Sequence, residues 1–110
     1  MKSLKFRPDL VKDVLAGRKT TTWRLFDDKD LREGDCIELL NWETGEKFAD
    51  AQITRITEKQ VADVSEADYE GHERYENQEV LLKTLQGYYG ERVNLETVVK
   101  IIEFKLVKNI

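Results

Sequence analysis

The sequence is poor in the residues that build disulfide-stapled or metal-dependent small proteins. Its 110 residues include one cysteine, Cys36, and one histidine, His72. A single cysteine excludes an internal disulfide and a multi-thiolate zinc site, and a lone histidine needs carboxylate partners to bind zinc. We therefore expect no metal and no cofactor, and we expect Cys36 to be a small hydrophobic residue in a strand.

Long apolar runs are also missing. No window approaches the ~18 consecutive apolar residues of a membrane helix. The N-terminal segment MKSLKFRPDL lacks the apolar core of a secretory signal peptide. We expect a cytoplasmic protein that makes no contact with a membrane, whereas the oligomeric state is not predicted.

Only one proline is present, and no linker or repeat divides the chain. Apolar residues make up 40% of the sequence and charged residues 36%, which favours a packed globule over a disordered chain. A chain of this length buries about two-thirds of its unfolded surface around one core. We therefore predict a single domain, residues 1–110.

Charge is unevenly distributed along the chain. The net charge is −4, yet residues 1–32 contain nine Lys or Arg against five Asp or Glu, and residues 33–110 contain nine against seventeen. The segment 58–79 is especially acidic, with eight acids and two bases. A basic N-terminal third attracts phosphate, but the acidic remainder repels a long polyanion. This pattern favours a small or locally bound anionic ligand.

Periodicity and turn residues predict five or six strands and two main helices. Gly17 and Gly90 are expected to end the helices, the first as a left-handed cap. Ala49, Ala51 and Ile53 alternate with polar residues, and the break in phase at Ile56 predicts a bulge or a bend in the strand. The predicted strands are Ser3–Phe6, Thr20–Arg24, Cys36–Trp42, Lys47–Thr57 and Glu96–Val107, and the helices begin at Pro8 and after Asn77. The expected fold is α+β, a small, mostly antiparallel β-barrel covered by the helices.

The segment Gly17–Arg24 concentrates functional groups: three cations, three hydroxyls and an indole. A threonine hydroxyl is a poor nucleophile unless a base lies nearby, and lysine can be that base if burial lowers its pKa. Lys19 and Thr22 would point to opposite faces of a regular strand, so they converge only if Lys19 still lies in the turn after Gly17. The alternative is that the threonines are ordinary strand residues, that Lys19 is a solvated charge and that Trp23 belongs to the core.

The pattern Gly17-x-Lys19-x-x-x-x-Arg24, after a short helix, resembles the signature of the ASCH domains, relatives of the PUA RNA-binding fold. The resemblance extends over most of the chain, through Gly34-Asp35, Glu70-Gly71, Tyr89-Gly90 and the closing strand Val99–Val107. It implies a β-barrel with a cleft lined by Gly17–Arg24, in a family proposed to bind RNA or nucleotides.

Many members of that family have glutamate at the position of Thr22. The run Gly-Arg-Lys-Thr-x-Thr-x-Arg is instead similar to the small bacterial ASCH proteins that hydrolyse N4-acetylcytidine to cytidine and acetate. Their catalytic lysine and second threonine correspond to Lys19 and Thr22. Their catalytic glutamate corresponds to Glu70 or Glu73, with His72 between them, and Glu70 is preferred.

The resemblance implies that Lys19 acts as a base toward Thr22, or toward a water held by it, with Arg18 or Arg24 stabilising the oxyanion. The alternative is a binding module for RNA or a nucleotide. In that case Arg18, Lys19 and Arg24 bind phosphate, and Trp23 or Tyr69 stacks on a base. RNA cleavage is less favoured because only one histidine is present. A protein-interaction domain would leave the three cations unexplained.

Overall fold

A computed structural model describes residues 2–27 and 29–107, so Met1, Asp28 and 108–110 of the predicted domain lie outside the described residues. Every predicted strand and both predicted helices are present. Short 3-10 turns, Val61–Asp63 and Glu66–Tyr69, lie between the fourth strand and the second helix. In chain order the main elements are β1 (Ser3–Phe6), α1 (Pro8–Leu15), β2 (Thr21–Arg24), β3 (Cys36–Asn41), β4 (Lys47–Gln60), α2 (Gln78–Tyr89) and β5 (Val98–Val107).

The five strands form one sheet, in the order β1-β3-β4-β5-β2. The β1–β3 pair is parallel and the other three pairs are antiparallel. The register of β4 on β5 shifts between Ile53 and Arg55, which confirms the predicted bulge and bends this 14-residue strand. The sheet curls into a half-barrel, and the predicted α+β fold class is confirmed.

The side chain of Arg24 joins the two strands at the ends of the sheet order. Its Nη2 donates to the carbonyl oxygen of Lys5 at 2.9 Å, and the guanidinium lies 5.1 Å from the centre of the Phe6 ring. Arg24 is the last residue of β2, and Lys5 and Phe6 end β1. Curling of the sheet therefore brings the ends of β1 and β2 together around one cation.

Both faces of β5 contribute buried side chains between Val99 and Phe104. Ile102 and Phe104 belong to one core cluster, and Val99 and Ile101 belong to another. Successive side chains of a strand point to opposite faces, so β5 separates the two clusters. The first cluster includes Val14 of α1, whereas the second includes residues of α2, chiefly Leu81 and Leu85.

Cys36 lies in a strand, as predicted, but its side chain is exposed. It is the first residue of β3, and the alternate residues Ile37 and Leu39 fill the core with exposed fractions of 1% and 0%. A side chain one position away from this buried set points to the opposite face of the strand.

Neither described helix is long and apolar enough to cross a membrane; α1 has eight residues and α2 has twelve.

Candidate functional site

The turn after α1 places Lys19 outside the sheet. Gly17 adopts a φ of +79°, a left-handed conformation that costs glycine little. The backbone N–H groups of Arg18 and Lys19 then both donate to the carbonyl oxygen of Asp13, at 2.9 and 3.1 Å. Because β2 begins only at Thr21, Lys19 is free of the alternation of a strand. The predicted left-handed turn at Gly17 is confirmed.

The Lys19 ammonium is buried, with an exposed fraction of 5%. Its Nζ donates to the carbonyl oxygen of Thr21 at 2.9 Å and to Oε2 of Glu73 at 2.7 Å. These bonds occupy two of the three substituent positions on Nζ, and the described residues provide no third acceptor. The third position therefore carries a proton in the ammonium form and a lone pair in the neutral amine.

The acidic segment is docked onto the start of β2 through Gly71. Its carbonyl oxygen accepts from the N–H groups of Thr20 and Thr21, at 2.9 and 3.1 Å. The Thr21 hydroxyl donates to the carbonyl oxygen of Glu70 at 3.1 Å. This docking brings the Glu73 carboxylate to Lys19, whereas Glu70 meets β2 through its backbone.

His72 packs beneath the ion pair. Its ring stacks on Trp23 with centroids 4.1 Å apart and planes 15° apart. His72 Nδ1 lies 2.7 Å from the carbonyl oxygen of Glu73, so this nitrogen carries the proton and donates. Burial, reinforced by the nearby Lys19 charge, lowers the pKa of His72 to about 4. The ring is therefore neutral near pH 7 and fixes the backbone that carries the Glu73 carboxylate.

Burial and charge act in opposite directions on the Lys19–Glu73 pair. Burial lowers the pKa of Lys19 below its usual value, and the Glu73 carboxylate opposes that shift without cancelling it. Burial by itself would raise the pKa of Glu73, but it is lowered by the charge of His72 where that ring is protonated at acid pH, and by the charge and hydrogen bond of Lys19. The carboxylate is therefore ionised at neutral pH, and the neutral amine is more accessible than in a solvated lysine.

Thr22 and Arg24 lie side by side in this cleft. Thr22 is buried, with 4% exposure, and its Oγ1 accepts from Nε of Arg24 at 3.1 Å. The hydroxyl proton of Thr22 is not used by that bond. Nη1 of Arg24 has no hydrogen-bond acceptor in the described part of the chain. A donor and a hydroxyl are thus both available at the cleft.

These groups line an open cleft of about 370 Å³, a size that suits a small molecule. Five predicted site residues lie in its wall: Lys19, Thr22, Trp23, Arg24 and Glu73.

The other three predicted site residues are not among the lining residues. The exposed Arg18 pairs with Asp13 at 2.8 Å, and Tyr69 packs against Trp23, with ring centroids 5.1 Å apart. Glu70 contributes its carbonyl oxygen to Thr21. The structure brings Glu73, rather than the preferred Glu70, to the lysine.

Several lining residues were not predicted from the sequence. Lys5 and Arg7 come from the end of β1 and the residue before α1, Trp42 follows β3, and Tyr88 lies at the end of α2. Pairing of β1 with β3 places Trp42 beside Phe6, since its N–H donates to the Phe6 carbonyl oxygen at 2.7 Å. No local motif marks these residues, and the two cations that flank Phe6, Lys5 and Arg7, are the one available signal.

Within residues 2–27 and 29–107, no three His, Cys, Asp or Glu side chains are grouped so that they could hold a metal ion.

Comparison with known proteins identifies the fold. No protein-family model matches the sequence, and no curated protein matches it significantly. An ASCH domain from Lactobacillus crispatus has a TM-score of 0.69 at 16% identity, over 89% of this chain and 70% of that chain.

Two further solved structures are similar to this chain in fold. The ASCH protein of Zymomonas mobilis has a TM-score of 0.66 at 12% identity, over 94% of this chain and 65% of that chain. A DUF984 protein from Enterococcus faecalis has a TM-score of 0.70 at 20% identity, over 90% of this chain and 70% of that chain. The protein therefore has the fold of the ASCH domains.

Proposed function

We propose that this chain is an ASCH-family amidohydrolase that deacylates a modified nucleoside such as N4-acetylcytidine, releasing cytidine and acetate. One observation carries the proposal: the buried Lys19 Nζ is held 2.7 Å from Glu73 in a cleft that Thr22 and Arg24 also line. Buried titratable groups with displaced pKa values in a cleft are characteristic of catalytic sites.

Lys19 is the general base of the proposed reaction. Its two donated bonds, to Thr21 and Glu73, orient Nζ so that the lone pair of the neutral amine occupies the remaining position. The amine removes the proton of the Thr22 hydroxyl, or of a water bound to it, as the oxygen attacks the amide carbonyl carbon. Glu73 stabilises the lysine cation that forms.

Arg24 stabilises the oxyanion, because its Nη1 donor is uncommitted and its Nε fixes Thr22. The tetrahedral intermediate then expels the nucleobase amine, which takes the proton from Lys19 as the C–N bond breaks. Attack by water yields acetate directly. Attack by Thr22 yields an acyl ester, which a water hydrolyses in the same way. In both cases one water is consumed and one amide is cleaved.

The proposal is tested by incubating the purified protein with N4-acetylcytidine and quantifying cytidine by liquid chromatography. We expect turnover by the unmodified chain and a loss of at least about 100-fold in kcat/KM for Lys19→Ala, the usual cost of losing a general base. Arg18→Ala is the matched control, since Arg18 is an exposed cation outside the cleft, and it should retain full activity. Normal hydrolysis by Lys19→Ala would overturn the mechanism.

A second candidate function is non-catalytic nucleotide binding in the same cleft. Two exposed aromatic side chains in its lining favour this candidate: Trp42 is 63% exposed and Tyr88 is 53% exposed. Exposed rings can stack on a base. This alternative predicts measurable affinity for cytidine nucleotides and no cytidine product from N4-acetylcytidine.

A further inference from the structure

The cleft is strongly cationic in a protein whose net charge is −4. Its lining contains four cations and one carboxylate, Glu73. His72 adds no charge near neutral pH because its pKa is about 4. A concave surface with one sign of charge concentrates ligands of the opposite sign. The lining therefore favours an anionic ligand, whereas N4-acetylcytidine itself is uncharged.

Two of the four cations are already used within the site. Lys19 is paired with Glu73, and Arg24 donates to Thr22 and to the Lys5 carbonyl. The other two, the Lys5 and Arg7 side chains, are exposed and make no ion pair with any carboxylate in the described part of the chain. The guanidinium of Arg7 instead lies over the ring of Tyr88, 4.5 Å from its centre.

These two cations share the cleft with exposed aromatic rings. Tyr88 lies under Arg7, and Trp42 follows β3, whose last residues pair with the end of β1. Rings supply stacking surfaces for a nucleobase, while a free ammonium and a guanidinium supply donors for phosphate oxygens. Lys5, Arg7, Trp42 and Tyr88 therefore combine the two chemistries that a nucleotide requires.

We propose that Lys5 and Arg7 form a phosphate-binding rim, so that the ligand of this cleft is a nucleoside monophosphate in preference to the uncharged nucleoside. The part of this inference that concerns hydrolysis of the monophosphate rests on the proposed function, whereas the part that concerns its binding does not. A mononucleotide fits better than a strand because the cleft measures about 370 Å³. The net charge of the whole chain is −4 although the cleft is cationic, so the surface outside the cleft is more negative than −4. Additional phosphates outside the cleft would be repelled.

The binding test compares cytidine, cytidine 5′-monophosphate and cytidine 3′-monophosphate by isothermal titration calorimetry. We expect at least one monophosphate to bind about tenfold more tightly than cytidine, equivalent to about 1.4 kcal/mol. Raising the salt concentration should reduce that preference, because exposed charges are screened.

The variants replace cations by glutamine, which keeps a polar side chain. In Lys5→Gln/Arg7→Gln the preference for the monophosphate should fall to less than about threefold, as expected when two charge-assisted contacts are lost. Lys12→Gln is the matched control, since Lys12 is an exposed cation of α1 that does not line the cleft. Thermal unfolding of each variant verifies that the fold is retained.

Three results would overturn the inference: equal affinity for cytidine and both monophosphates, no measurable binding of any of them, or an unchanged preference in the double variant. Tighter binding of a five-nucleotide RNA than of either monophosphate would also contradict it, because a strand would then be the ligand.

The catalytic test is independent of the binding test. If the monophosphate is bound preferentially but its N4-acetyl form is not hydrolysed, the amidohydrolase proposal fails and the rim stands. If N4-acetylcytidine and its monophosphate are hydrolysed with equal kcat/KM, the rim fails and the hydrolase stands.

Discussion

The assignment of Glu73, rather than Glu70, as the partner of Lys19 has a measurable consequence for stability. Lys19 is 5% exposed and its ion pair with Glu73 is 2.7 Å long. Removing one member of a buried pair typically costs about 3–5 kcal/mol. The Glu73 side chain is 39% exposed, so water screens part of the interaction. We therefore expect Glu73→Gln to lower the free energy of unfolding by about 2 kcal/mol near pH 6.

The loss of stability in Glu73→Gln should depend on pH in a defined direction. Burial lowers the pKa of Lys19 in the folded chain, and Glu73 opposes that shift. Without Glu73 the pKa of Lys19 falls further, so the folded chain releases the proton at a lower pH while the unfolded chain still holds it. Stability then rises with pH across a wider interval in the variant. The deficit of Glu73→Gln should shrink as the pH is raised from about 6 to about 9.

Differential scanning calorimetry at several pH values measures the effect, and about 2 kcal/mol corresponds to a Tm lowered by about 8 °C in a domain of this size. Glu70→Gln is the matched control. The residue joins the site through its carbonyl oxygen, which the substitution retains, so its Tm should change by less than about 2 °C. Equal losses in the two variants, or a deficit that grows with pH, would refute the pairing described here.

Three further perturbations test how the site is built. Gly71→Ala should lower the free energy of unfolding, measured by urea titration, by about 3 kcal/mol, because the new Cβ would overlap Oγ1 of Thr20 and the φ of Gly71 is +74°. Gly45 has a φ of +75° but open space around it, so Gly45→Ala should lose only about 1 kcal/mol. The native chain should lose up to about 3 kcal/mol of stability as the pH falls from 6.5 to about 4, since the depressed pKa of His72 makes the folded state resist protonation. His72→Phe should make this decrease smaller. Arg24→Lys should lower the Tm by about 4–8 °C, because Arg24 bonds Thr22 and β1 through two different nitrogens, Nε and Nη2, whereas lysine has a single one.

Each of these outcomes has a contrary result. Equal losses for Gly71→Ala and Gly45→Ala would show that the close approach to Thr20 carries no strain. An unchanged acid profile in His72→Phe would place the acid-sensitive group elsewhere. A Tm for Arg24→Lys no lower than that of Arg55→Lys, which changes a side chain 70% exposed on β4, would remove the bridging role of Arg24.

The sequence predicted the strands, both helices and the turn that carries Lys19. These features depend on local signals: alternation, the terminal glycines and the phase break at Ile56. Gly17 is the clearest example, because a left-handed residue after α1 is what keeps Lys19 out of β2. The exposure of Cys36 follows from the same local signal, since alternation in β3 assigns the buried face to Ile37 and Leu39.

The choice between Glu70 and Glu73 could not be predicted from the sequence because it depends on how the acidic segment docks onto β2, which is distant along the chain. The Gly71 carbonyl oxygen bonds Thr20 and Thr21, and the turn that follows, which begins with a φ of +74° at Gly71, decides which carboxylate reaches Lys19. The spacing of residues along the sequence does not encode that turn. The rim cations Lys5 and Arg7 were missed for the same reason, since the curl of the sheet brings the end of β1 to β2 through Arg24.

The proposal that Lys19 and Thr22 act together in catalysis is tested most directly by a double-variant cycle on hydrolysis of N4-acetylcytidine. In this cycle kcat/KM is measured for Lys19→Ala, Thr22→Val and the combined variant. Residues that act as one catalytic unit give strongly non-additive losses. We expect each single variant to lose at least about 100-fold and the combined variant to lose little more than either one. Losses that multiply in the combined variant, or single variants that hydrolyse the substrate normally, would contradict this proposal.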